Sequence, residues 1–166
     1  MSDPSTAQPA PVPHKRVDIG GFGTAFLATA EAPGGAYALI EHTLEPGLIG
    51  APPHRHAHED ELSYVLEGTL TVWRDGTAAE AGPGALVRKP RGEWHTFWNA
   101  GPTPVRFLEI ISPPSFADYF RELAALIPPQ GAPDPAAIVA LGARYGLEFD
   151  FAALGPLMAR HGLRLG

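Results

Sequence analysis

Residues 52–61 read Pro-Pro-His-Arg-His-Ala-His-Glu-Asp-Glu, and His54 and His56 stand two apart. On an extended strand, positions i and i+2 point to the same face, so two imidazoles there can reach one cation. Glu61 follows five residues after His56, enough chain to leave one strand, turn and enter the next. Taken alone, a His-x-His with a later Glu is more often a polar loop than a metal site. A second segment changes that weighting. Residues 84–99 bring His95 into a strand-like run that follows Pro90-Arg91-Gly92. Three neutral imidazoles and one carboxylate would leave a divalent metal with a net charge near +1 and one or two open positions.

The two segments together resemble the paired motifs of the cupin superfamily. The pattern G-x5-P-x-G-x2-H-x3-N is met at every position from Gly84 to Asn99, and Asn99 is the sole asparagine of the chain. By residue frequencies, a chance match is on the order of 10⁻⁴. The pattern H-x-H-x4-E-x6-G is met from His54 to Gly68. Its opening glycine is displaced, with Gly47 one residue too early and Gly50 two too late. Pairing Gly50 with His56 and His58 would bring Glu61 too close, so His54 and His56 are preferred.

The resemblance implies a mainly β fold, a double-stranded β-helix or jelly-roll, with a metal in the mouth of the barrel. Carried over residue by residue, it makes His54, His56, Glu61 and His95 the ligands of one divalent transition metal: Fe, Mn, Ni, Co or Zn. Asn99 and the glycines would shape turns and strand ends. In style the chain is similar to small single-domain bacterial cupins related to quercetinases. That implies a dioxygenase acting on an enolisable, flavonol-like or dicarbonyl-like small molecule. Glu61 would then be both ligand and general base, because a metal-bound carboxylate can swing off to take a proton. The alternatives are a metal-dependent isomerase or cyclase, with the cation as Lewis acid only, and a non-catalytic ligand-binding module. Family habit adds a homodimer.

The elements that must position these groups are legible in outline. The 19 glycines and 19 prolines of 166 residues far exceed the usual share and suggest many short strands. Residues 17–112 alternate short β-branched and aromatic runs with Gly, Pro, Asp or Asn about every ten residues, the mark of a sandwich or barrel. Glu67-Gly68 and Asp75-Gly76 read as hairpin turns. Residues 1–16, rich in Pro and Ala, read as a disordered tail that includes His14. Residues 113–166 read as a helical extension packed on the barrel. Phe116, Tyr119, Phe120, Leu123 and Leu126 there recur at helical spacing, and Asp134-Pro135 is a helix start.

Parity places Phe97 on the face of His95, so Phe97 should line the substrate pocket. Trp73, Trp94 and Trp98 read as core. Glu67 reads as a solvated turn residue; Glu109 reads as outward-facing or, if inward, as a second acid near the metal; His42 and His161 read as ordinary structural histidines. His58 could hydrogen-bond a ligand, and Arg55, Arg88 and Arg91 could bind a local acid.

The absence of cysteine excludes disulfides, thiolate chemistry and Cys-ligated clusters. A net charge of −6 argues against nucleic acid as partner. No apolar run has the length of a membrane span, and residues 1–13 lack the pattern of a secretory signal. The expected location is therefore the cytoplasm.

Overall fold

The computed structural model describes residues 14–31, 34–128 and 133–165. The expected tail falls almost wholly outside these residues; Lys15 and Arg16 already belong to a strand. The strands, in chain order, are β1 (Lys15–Ile19), β2 (Phe22–Ala28), β3 (Ala38–Leu44), β4 (Leu48–Ile49), β5 (His54–His56), β6 (Asp60–Glu67), β7 (Leu70–Arg74), β8 (Thr77–Ala81), β9 (Leu86–Lys89), β10 (His95–Trp98) and β11 (Val105–Ser112). A 3₁₀ turn, Pro114–Phe116, leads into α1 (Ala117–Leu126) and α2 (Pro135–Arg144). Then follow β12 (Leu147–Phe149), α3 (Phe151–His161) and the short β13 (Arg164–Leu165).

These strands make two sheets. One has the order β1-β2-β3-β11-β6-β9 and is antiparallel throughout. The other runs β12-β5-β10-β4-β13, with β7 and β8 attached through β10. The fold is mainly β, a jelly-roll closed by a short helical segment. The driving force is alternation: in β3 and β11 every second side chain is buried, among them Ile40, Leu44, Val105 and Phe107. Each such aliphatic or aromatic side chain removed from water contributes roughly 1.5–3 kcal/mol before the entropy of ordering is counted.

Turn chemistry fits in one place and not in another. Asp75 and Gly76 have φ of 42° and 91°, the two left-handed residues of a type I′ hairpin, and they join β7 to its partner β8. Glu67-Gly68 is not a hairpin. It carries the chain from β6 in the first sheet to β7 in the second, a crossover that a local Gly signal cannot tell from a hairpin.

The helices close one end of the barrel. α1 turns Phe116, Tyr119 and Phe120 inward, while Leu126 lies at the exposed margin. α2 begins as its sequence requires: Asp134 caps it by accepting a hydrogen bond from the Ala136 N–H at 2.9 Å. α3 starts at Phe151, with Asp150 as its cap. Pro156 lies inside it.

Candidate metal centre

Strand β5 is three residues long and buries its two ends while Arg55 points out. Arg55 meets Glu148 at 2.6 Å and lies over the Trp94 ring. The antiparallel pairing of β10 sets His95 directly opposite His54. Strand β6 enters from the other sheet and turns Glu61 inward. His54, His56, Glu61 and His95 therefore converge: one ligand atom from each lies within 4.8 Å of all the others, and all four residues are buried.

Hydrogen bonds on the far sides of the rings orient them. His54 Nδ1 is 2.9 Å from the Pro52 carbonyl oxygen, and His95 Nδ1 is 3.1 Å from that of Glu93. A carbonyl only accepts, so Nδ1 carries the proton in both and Nε2 is left bare. His56 Nδ1 lies 3.4 Å from Glu59 Oε2, a carboxylate that is itself buried. Glu61 Oε2 is 3.6 Å from His56 Nε2 and 3.5 Å from His95 Nε2. Neither His56 Nε2 nor His95 Nε2 has a hydrogen-bond partner. Buried polar atoms rarely go unpaired, and here the unpaired atoms face one another. The donor set thus suits a divalent cation, and the cluster could hold one.

Electrostatics keep the donors in their ligating forms. Burial, then the fields of His95 and His56, hold His54 well below its ordinary pKa. Burial likewise lowers His95. Burial would raise Glu61, but the Lys89 ammonium and the neighbouring histidines outweigh it and hold the carboxyl well below the usual range.

The cluster opens on a cavity of about 380 Å³ whose wall includes His54, Glu61 and Phe97. It is largely apolar, with Phe22, Phe116, Tyr119 and Phe120 among the aromatic side chains of its wall. His42 also lines it; buried between Phe22 and Phe107, it bonds Thr24 Oγ1 at 3.1 Å.

Two polar residues in this wall were not anticipated in place. Lys89, 2% exposed, reaches Glu61 Oε2 at 3.0 Å and Glu109 Oε2 at 2.8 Å. Glu109, expected to face outward, is buried and lines the cavity. Lys89 sits opposite Glu61, and Glu109 opposite Ser63, across antiparallel pairs. Alternation carried the signal for Lys89, since Ala85, Val87 and Lys89 share a face that Leu86 and exposed Arg88 leave. In β11 both faces are apolar, and only Arg106 in the outward set marks the direction.

The remaining candidates lie elsewhere. His58, Arg88 and Arg91 are exposed, and Arg91 pairs with Asp60. The neighbour of a cluster histidine is Glu59 rather than His58. Glu67 is exposed and binds Arg106. Trp98 packs with Ile49, Leu154 and Leu163, with Trp73 against them, on a different face. Asn99 ties the barrel end together, donating to the Leu44 and Thr103 carbonyls and accepting from Gly101 N–H.

The fold and site define a small jelly-roll with a buried three-histidine, one-carboxylate cluster at the head of an apolar cavity. Residues 40–111 match the family model described as Cupin domain. A stretch of 70 residues, 42% of this chain, is 29% identical to quercetin 2,3-dioxygenase of Bacillus subtilis (strain 168). That stretch spans only 20% of the dioxygenase. A predicted oxalate decarboxylase of Thermotoga maritima superposes with a TM-score of 0.53 at 28% identity, covering 60% of this chain and 90% of that one. A cupin described as a sugar phosphate isomerase, from Silicibacter pomeroyi, gives 0.51 at 28% identity, covering 57% and 60%. Among the described residues no helix is long and apolar enough to cross a membrane.

Proposed function

We propose that this protein is a metal-dependent enzyme that brings dioxygen to an enolisable, apolar small molecule of flavonol-like or dicarbonyl-like type. The observation that carries the reading is the joining of a buried His₃-Glu cluster to a largely apolar cavity with several aromatic side chains in its wall. In it, His54, His56, Glu61 and His95 are the ligands of one divalent transition metal. Such a cation, when bound, supplies a Lewis acid for an enolate oxygen and a place for dioxygen beside it.

This chain's own residues do the rest. The carbonyls of Pro52 and Glu93 hold two imidazoles in register, and the helical segment and its aromatics exclude water from the cavity. Phe97 forms part of the wall against which a flat substrate lies. Glu61 as proton acceptor has less support than Glu61 as ligand, because an ammonium 3.0 Å away makes a carboxylate a poorer base.

Lewis-acid chemistry alone is the competing reading, favoured by the likeness to the isomerase and the decarboxylase. The cavity weighs against a sugar phosphate. A phosphate is held by several donors, whereas the one lysine in the wall is already engaged by two carboxylates and the motif arginines lie outside. The proposal extends to a homodimer in the cytoplasm, the former checked by light scattering. The deciding experiment is elemental analysis of the purified protein, then oxygen uptake with flavonols and aryl diketones. Uptake coupled to substrate loss is the expected result. Turnover that proceeds equally without air would transfer the reading to Lewis-acid chemistry.

A further inference from the structure

Glu109 is a buried carboxylate that the reaction described above does not use. Its Oε2 accepts hydrogen bonds from Ser63 Oγ and Lys89 Nζ, both at 2.8 Å. Its Oε1 has no partner although the residue is 2% exposed. Burial raises its carboxyl from 4.5 to about 7 against the pull of Lys89, so above that pH Glu109 carries a charge left half-satisfied in an apolar interior, where a well-packed aliphatic residue would commonly be more stable. Because both donors hold Oε2, Oε1 is the oxygen left free, in a residue that lines the same cavity as Glu61 and Lys89. No donor of the wall reaches it. Lys89 is the single cation between two carboxylates, so the surroundings of Glu109 favour a neutral donor over a second anion.

We propose that Glu109 is a second polar pole of the cavity: its Oε1 accepts a hydrogen bond from a hydroxyl of the substrate, whose metal-facing oxygen sits at the histidine cluster. Lys89 and Ser63 are positioning residues that fix which carboxylate oxygen is free. The ligand class is then narrower than an enolisable apolar molecule. It is an aromatic carrying a neighbouring O–H donor beside its metal-binding oxygens. This rests on the cavity being a small-molecule site, and it does not require turnover with dioxygen.

The substitution Glu109→Gln gives a sharp test. Lys89 and Ser63 donate, so they must hold the amide oxygen, and the amide NH₂ then takes the place of Oε1. An acceptor becomes a donor with almost no change of shape. The full chain is loaded with zinc, which is redox-silent, and titrated calorimetrically without air on the alkaline side of pH 7, where the Glu109 carboxyl is ionised. The probes are catechol, pyrogallol and 3-methoxycatechol, which offer the metal the same oxygen pair. The native protein should bind pyrogallol roughly tenfold tighter than either other probe, the scale of a hydrogen bond to a buried charge. In the Gln variant the preference for pyrogallol over 3-methoxycatechol should shrink to within about twofold, with zinc content and catechol affinity unchanged. An equal ratio in both proteins overturns the proposal, because size exclusion of the methyl group would persist in the variant. So does the absence of any preference for pyrogallol over catechol in the native protein, a measurement that needs no variant to fold. Failure of oxygen uptake would instead strike the dioxygenase reading and leave this subsite standing.

Discussion

The four converging side chains are not equal in what their loss should do. His95 is wholly buried, with Nδ1 fixed by the Glu93 carbonyl; His56 has no such anchor beyond Glu59 at 3.4 Å. Replacing either by Ala removes a donor from a set of four, and the purified variants should hold well under one metal per chain by elemental analysis. Stoichiometric metal in both would show that the ligands lie elsewhere. Glu61→Gln separates ligand from base. With Lys89 lowering the basicity of this carboxylate, the variant should lose metal affinity by a factor on the order of 10². Saturating metal should then return the rate to within about tenfold of native. A deficit of about 10² or more that persists at saturation would establish Glu61 as the proton acceptor.

At the scale of elements, the site depends on how closely the strands approach. Gly50, just after β4, donates its N–H to the Phe97 carbonyl at 2.9 Å. A Cβ there would stand 2.2 Å from the Phe97 ring. Gly50→Ala should therefore push Phe97 off its rotamer and destabilise the fold by about 1–3 kcal/mol, read by denaturant titration. Adding Phe97→Leu should recover part of the loss, whereas an undiminished loss would locate the strain in the backbone. This contact also shows where reading the sequence stops. His54 and His56 were readable because period-two geometry is local, and His95 because its turn residues are spaced along one segment. The α2 start was readable because Asp134 caps its own helix. Gly50 was visible only as a glycine out of place, since the ring that forbids a side chain is 47 positions away in the chain. Lys89 and Glu109 are joined by pairings across β6, β9 and β11, and no local pattern states which strands become neighbours.

For the molecule as a whole, the barrel's buried histidines make stability depend on pH even without bound metal. His42 lies against Phe22, Phe107 and Phe120 and bonds Thr24. Burial first, and the Lys89 charge second, depress it from 6.5 to about 3, against an opposing pull from Glu61 and the Gly23 backbone. In the unfolded chain the imidazole takes its proton near 6.5; in the barrel it stays neutral until about 3. Between those values the unfolded state binds more protons, so stability falls as the solution is acidified, by up to about 1.4 kcal/mol per pH unit for this group. His54 and His95 are shifted in the same direction, and only a comparison of proteins isolates His42. His42→Gln keeps a hydrogen-bonding partner for Thr24 and removes the titration. Metal-free native protein and variant would be unfolded with urea at pH 7 and pH 5. The native protein should lose about 2 kcal/mol more than the variant over that interval. If the two lose the same amount, His42 is protonated in the folded barrel at pH 5, and the cavity wall beside Phe22 is wetter than its aromatic lining implies.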